Sequence, residues 1–134
     1  MDKHYYFTLD EANRKIPWLK TQLETIASLT KEIEQISLEL NTDLIKASSN
    51  GHGATDIDSK GGQKKIDAMV DRLRMLAEEI NDSGIILRDL ERGLVDFPTL
   101  WEDREVYLCW ILGESDIQFW HEIDTGFSGR KPLF

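Results

Sequence analysis

The chain has 134 residues, of which 40% are hydrophobic and 31% are charged, and this composition is typical of one soluble globular domain. Its formal net charge of −9 argues against nucleic acid as a partner, since phosphate binding favours clustered lysine and arginine. The single cysteine, Cys109, excludes an intramolecular disulfide and a thiolate metal cluster. The sequence contains neither a signal-peptide pattern nor an apolar run of membrane-spanning length, so we expect a cytoplasmic protein with no membrane partner.

A long helix is predicted over residues 8–47. Thr8 and Glu11 have the spacing of a capping box, which is typical of a helix start. Pro17 lacks the backbone donor that a helix interior uses, so we expect a kink or a break near residues 13–16. The helix is indicated by apolar residues at heptad spacing: Ala12, Leu19, Ile26, Ile33 and Leu40.

A second helix is predicted over residues 63–84, after a flexible loop at 48–62 whose sequence, SSNGHGATDIDSKGG, is rich in glycine and serine. Its apolar residues also repeat every seven positions: Ile66, Leu73 and Ile80. Two such stripes joined by a loop predict an antiparallel helical hairpin of coiled-coil character. The first helix would be roughly 60 Å long, which leaves part of its stripe for another subunit, so we expect a homo-oligomer, with a dimer favoured.

The remainder predicts a β-meander over residues 85–123 and an irregular tail over 124–134. After Gly84, a helix stop, the apolar period changes to two, and Gly93 stands where a hairpin loop favours a left-handed residue. The chain is therefore predicted as one α+β domain, 1–134, in which the long antiparallel helical hairpin packs on a four-stranded antiparallel meander. The predicted strands are 85–90, 94–101, 105–112 and 117–123.

The turns between the strands predict which residues share a face of the sheet. If Gly113–Asp116 closes the last hairpin, Trp110 lies opposite Phe119 and Leu108 opposite His121, on the face toward the helices. The other face then carries aromatic side chains that are not usually left exposed to solvent, so we expect a subunit, a ligand or the chain's own tail to cover it. Its predicted lateral row, with two flanking residues, consists of Arg88, Asp96, Cys109, Trp120, Tyr107 and Glu122.

This second face supplies the candidate ligand-binding residues. An arginine there would pair with an anionic group, the aromatic rings would stack on an apolar moiety, and the carboxylates would take amines or a cation. In the tail, Arg130 and Lys131 either hold an anion against backbone amides or dock the tail on the acidic face. The candidates are Arg88, Asp96, Tyr107, Trp120, Glu122 and Arg130.

Cys109 and His121 together suggest a thiol nucleophile with a general base. The expected register places them on opposite faces, which favours a buried small residue and a hydrogen-bonded histidine instead. His121 and Glu122 provide too few ligands for a zinc site, so we expect no metal and no cofactor. A site formed by strand-end carboxylates is the lesser alternative: Asp96, Glu105, Glu122 and Asp124.

Several stretches of the chain resemble a known prokaryotic family. They are YYFTLDEANRKIPWL near the start and, in the C-terminal half, LERGLVDFP, VYLCW and FWHEIDTGF. With these motifs the chain resembles domain of unknown function family 2203 over nearly its whole length, and the glycine-rich middle is the variable part. The resemblance implies a soluble domain of helices followed by a compact motif region, and it carries over no activity, cofactor or catalytic residue.

Two functions stay open at this point. The favoured hypothesis is a non-enzymatic oligomeric interaction module, because the helices carry heptad stripes and the sheet is apolar on both faces. The alternative is a protein that binds a small molecule or a cation on the second face, and a hydrolase is one form of this alternative. An unidentified protein partner is compatible with either.

Overall fold

The computed structural model describes the backbone of residues 5–50 and 56–134, and the side chains of residues 5–40 and 60–134. These ranges form two long helices and a five-stranded antiparallel sheet of order β1-β2-β3-β4-β5, so the fold class is α+β, as predicted. Neither helix, over its described residues, combines the length and apolarity needed to cross a membrane. The elements are α1 Leu9–Asn50, α2 Asp56–Asp82, β1 Ile86–Asp89, β2 Leu94–Trp101, β3 Arg104–Ile111, β4 Phe119–His121 and β5 Lys131–Pro132.

The chain divides into two compact units. The first contains Met1–Glu24 and Ala77–Phe134, and therefore the start of α1, the end of α2 and the whole sheet. The second, Thr25–Leu76, contains the remaining helical residues.

Helix α1 begins at the predicted capping box. The Thr8 hydroxyl accepts the Glu11 N–H at 3.1 Å, and the Glu11 carboxylate accepts the Thr8 N–H at 3.0 Å, which lowers the pKa of Glu11. Of the kink or break expected near residues 13–16, the break is wrong, because α1 continues through Pro17. Its neighbours Ile16 and Leu19 are buried, and their packing offsets the one backbone hydrogen bond that proline removes.

The predicted loop at 48–62 is largely helical at both ends. Helix α1 reaches Asn50 and α2 already begins at Asp56, while residues 51–55 lie outside the described part. Glycine content predicted a loop, yet a helix tolerates single glycines at a cost of about 1 kcal/mol each. At position 62, sterics favour glycine, because an added Cβ would lie 2.8 Å from the Leu40 side chain.

The β2–β3 hairpin has the predicted register. Asp96 lies opposite Cys109, and Pro98 lies opposite Tyr107. Its turn is shorter than expected, since Glu102 and Asp103 alone connect the strands, with φ values of 52° and 61°. Positive φ at both positions is the geometry of a two-residue turn that matches the twist of the strands.

The β3–β4 register differs from the prediction by one residue. His121 lies opposite Tyr107 instead of Leu108, and Phe119 lies opposite Cys109 instead of Trp110. The cause is the connection at 112–118, where Ile117 is buried and its N–H donates to the Asn13 side chain at 2.9 Å instead of extending the strand. Because strand side chains alternate, this slip moves every residue of β4 to the opposite face.

Two further strand predictions are corrected at the sheet edges. The tail is not irregular throughout, because Lys131–Pro132 pairs with β4 and makes a fifth strand where four were predicted. At the other edge, Ile86 and not Arg88 lies opposite Asp96, because the β1–β2 ladder is irregular between Leu87 and Asp89.

The sheet has two faces of different character. The helix-side face carries Val95, Phe97, Val106, Leu108 and Trp110, all buried, and the Phe97 ring meets the Phe7 ring edge-on at 5.3 Å. The outer face carries Asp96, Tyr107, Cys109, Phe119 and His121. The core of the first unit is completed by buried residues from the helices and loops: Ala12, Leu19, Leu23, Ile80, Ile85 and Ile117.

Gly93→Ala should destabilise the protein. Gly93 has a φ of +68°, and an added Cβ would lie 2.7 Å from the Leu112 Cβ, so strain of about 1–3 kcal/mol is expected. The matched control is Gly61→Ala, since Gly61 lies within α2 with no atom within 4 Å of an added Cβ, and alanine should stabilise there by up to about 1 kcal/mol. Urea unfolding followed by circular dichroism measures both, and equal shifts of one sign would contradict this reading of Gly93.

Candidate functional site

A buried carboxylate organises the outer face. Asp96 Oδ1 lies 2.9 Å from His121 Nε2, and Asp96 Oδ2 accepts a hydrogen bond from Arg88 Nε, also at 2.9 Å. The other ring nitrogen, His121 Nδ1, lies 2.7 Å from the Glu122 carbonyl oxygen. The Asp96 and His121 side chains are only 3% and 2% exposed, so these contacts replace water that the two groups have lost.

Strand pairing brings these residues together from distant parts of the chain. Asp96 comes from β2, His121 from β4, and Arg88 from the irregular part of β1. The Arg88 guanidinium lies 5.2 Å from the centre of the Tyr107 ring, which restricts its orientation. Partial burial opposes the charged form of Arg88, but the hydrogen bond and the charge of Asp96 outweigh it and raise its pKa.

Both ring nitrogens of His121 face oxygen acceptors. Nδ1 faces the Glu122 carbonyl oxygen, and Nε2 faces a carboxylate oxygen of Asp96. Arg88 is the permanently charged cation of the cluster, and its Nε is the atom that Asp96 binds.

Cys109 belongs to the same cluster, so its predicted separation from His121 is wrong. One donor atom from each of Asp96, Cys109 and His121 lies within 4.8 Å of the other two, because the β4 slip places His121 on the outer face. Burial, with a smaller contribution from Asp96, raises the pKa of the Cys109 thiol to about 12. A thiol with that pKa stays protonated at neutral pH, so the arrangement does not supply a thiolate nucleophile.

A cleft opens beside the cluster. Its volume is about 440 Å³, within the range of small-molecule sites. Its wall combines charged and polar groups with apolar side chains. The lining residues are Arg88, Leu94, Asp96, His121, Ile123, Asp124, Thr125, Gly126 and Phe127.

The tail covers the neighbouring part of the outer face. Arg130 Nη2 donates to the Glu114 carboxylate at 2.6 Å, and its guanidinium carbon lies 3.9 Å from the centre of the Phe119 ring and 4.7 Å from that of Phe127. The Arg130 side chain is only 12% exposed. A subunit, a ligand or the chain's own tail was expected to cover this face, and the tail is therefore present.

The structure divides the six candidate residues. Arg88, Asp96 and Tyr107 are together on the outer face, and Arg130 lies beside them across Phe119. Trp120 and Glu122 are not part of this group, because the slip turns them to the helix-side face.

The contacts of Trp120 and Glu122 on the helix-side face are defined. The Trp120 ring meets the Trp101 ring edge-on at 4.8 Å, and Glu122 forms an ion pair with Arg104. The prediction placed Cys109 on the outer face beside Asp96, as observed, and missed only His121 as a member of the cluster. The length of the 112–118 connection decides the face of His121, and no local motif reveals it.

Comparison with known proteins gives the family. A family model described as "Uncharacterized conserved protein (DUF2203)" matches residues 5–133, and the chain belongs to this family. No curated protein and no solved structure matches the chain. The chemistry therefore has to be argued from the cleft and its cluster.

Asp96→Asn should strongly destabilise the protein, because it leaves Arg88 and His121 facing a neutral amide inside the sheet. Breaking a buried charge pair costs about 3–5 kcal/mol. The matched control is Asp89→Asn, since Asp89 also accepts from an arginine Nε at 2.9 Å but is 34% exposed, against 3% for Asp96. We expect a much smaller shift in the urea midpoint for the control, and equal shifts would show that burial does not give the Asp96 network its strength.

Proposed function

We propose that the protein binds a small organic acid in the outer-face cleft, with the anionic group of the acid near Arg88. The observation that supports this is the Arg88 guanidinium, which lines the cleft and is held by the buried Asp96. A fixed positive charge in a partly desolvated site attracts an anion more strongly than the same charge on an open surface.

Arg88 is the residue best placed to contact the ligand. Its side chain is 43% exposed, whereas its Nε is held by the buried Asp96 and its guanidinium lies by Tyr107. A guanidinium held in this way loses little freedom on binding and presents a planar set of donors suited to a carboxylate.

The remaining wall favours an acid with an apolar part. Leu94, Ile123 and Phe127 line the cleft, and the last two are exposed, so burying them against a ligand removes apolar surface from water. The exposed Asp124 also lines the cleft, and its charge disfavours ligands that carry several negative charges. An amino group on the ligand would find its partner there.

Benzoate is a suitable probe, because it combines one carboxylate with an apolar ring, and benzamide is its neutral counterpart. In ¹H–¹⁵N spectra we expect benzoate, and not benzamide, to shift residues that line the cleft. Arg88→Gln should weaken benzoate binding about 10- to 100-fold, the effect of one charged hydrogen bond. Arg104→Gln is the control, since Arg104 pairs with Glu122 on the opposite face. Equal shifts by both probes, or equal losses in both variants, would contradict the proposal.

A second candidate is an oligomeric interaction module, and exposed apolar residues at the end of the β2–β3 hairpin support it. Leu100 and Trp101 are 52% and 48% exposed, beside a groove of about 260 Å³ that Trp120 and Leu133 also line. We propose that a second copy of the chain covers this groove.

Trp101→Lys should then shift a dimer to monomer in light scattering at micromolar concentration, whereas Trp18→Lys, outside the groove, should not. A wild-type monomer would contradict this candidate.

We also propose that α1 and α2 form an antiparallel helical hairpin and that the protein is cytoplasmic. The Gln22 amide donates to Glu79 at 2.7 Å within the first unit, and Gly62 permits close approach to Leu40 within the second. Each pair joins α1 to α2, which supports the hairpin. The unpaired, buried Cys109 is compatible with a reducing compartment.

A further inference from the structure

We propose that Asp96, Cys109 and His121 form a mononuclear site for a divalent transition metal such as Zn²⁺. Each residue offers one donor atom, and the three atoms lie within 4.8 Å of one another, as ligands of a single ion must. All three residues are buried. They come from three adjacent strands, β2, β3 and β4, which is a rigid support for a metal site.

The surroundings of the three residues match the support that metal ligands require. His121 Nδ1 faces the Glu122 carbonyl oxygen, which leaves Nε2 as the atom directed at the other two donors. Arg88 holds the second oxygen of Asp96, so Oδ1 is the oxygen available to an ion. Hydrogen bonds of this kind from outside the ligand set fix the orientation and basicity of the ligands.

The charges of the ligand set suit a divalent cation. A cysteine binds a metal as its thiolate, so loading should release the Cys109 proton. The thiolate and the Asp96 carboxylate together supply two negative charges, which match the two positive charges of the ion. The site therefore accepts the metal without a new uncompensated charge in the sheet.

The donor set indicates the class of metal. One sulfur, one nitrogen and one oxygen suit zinc, and three protein ligands with a fourth open position are typical of zinc sites that act on a substrate. Tetrahedral zinc places its N and O donors about 3.3 Å apart, slightly more than a direct hydrogen bond, so a small opening of the His121–Asp96 contact suffices. Since Asp96 and His121 line the cleft, the open position is within reach of a small molecule there.

Cobalt provides a direct test on tag-free, full-length protein. One equivalent of Co²⁺ per chain should give visible bands of tetrahedral cobalt and a thiolate-to-cobalt charge-transfer band in the near ultraviolet. The chain has one cysteine, so that band identifies Cys109 as a ligand even without a variant. Folded wild-type protein that shows no such band would overturn the proposal.

Variants then examine the rest of the ligand set. Cys109→Ser should abolish the charge-transfer band, and Arg88→Gln should weaken Co²⁺ binding about 10- to 100-fold through its effect on Asp96. His52→Gln, at a histidine outside the described side chains, should leave the band unchanged. For His121, Zn²⁺ should shift its ring-nitrogen resonance in wild-type protein, and no such shift would overturn the assignment. The benzoate titration is run on EDTA-treated protein, so anion binding and metal binding succeed or fail separately.

Discussion

The Asp96 carboxylate is the constraint on which the rest of the sheet depends. It is almost fully removed from water, and a charge in that position is tolerated only when it is paired and hydrogen-bonded. Its two oxygens face groups from two other strands, Arg88 on one side and His121 on the other. A single side chain thus links β1, β2 and β4, and any arrangement of β1 or β4 that removes either partner leaves a buried charge unsatisfied.

The position of β4 follows from the same requirement. With His121 on the helix-side face, an imidazole would enter an apolar layer and Asp96 would lose a partner. The observed slip avoids both costs and places Trp120 beside Trp101 instead. The connection before β4 accommodates the slip by burying Ile117 and bonding its N–H to Asn13 in α1, so a helix residue helps to set the register of a strand.

The parts of the fold that were predictable are those with local signals. The Thr8 capping box, the left-handed Gly93 and the β2–β3 register each depend on a few adjacent residues, and all are confirmed. The β3–β4 register depends on a contact 104 residues away in sequence, and β5 is too short to carry a periodic pattern. The wrong β3–β4 register accounts for the misassigned Trp120 and Glu122 and for the missed proximity of Cys109 and His121. The predicted Arg88–Asp96 pair forms in spite of the β1 irregularity, because the long arginine side chain still reaches the carboxylate.

The two proposals for the outer face share Arg88 and Asp96. Arg88 stays cationic with or without a divalent ion at Asp96, so the cleft offers a positive group to an anion in either state. The whole chain has a net charge of −9, which opposes the approach of anions over long distances. At physiological salt that repulsion is screened within about 8 Å, so the local geometry of Arg88, Asp96 and His121 decides affinity. An acidic protein can therefore hold a selective anion site, because the buried cluster acts only on a ligand that has already entered the cleft.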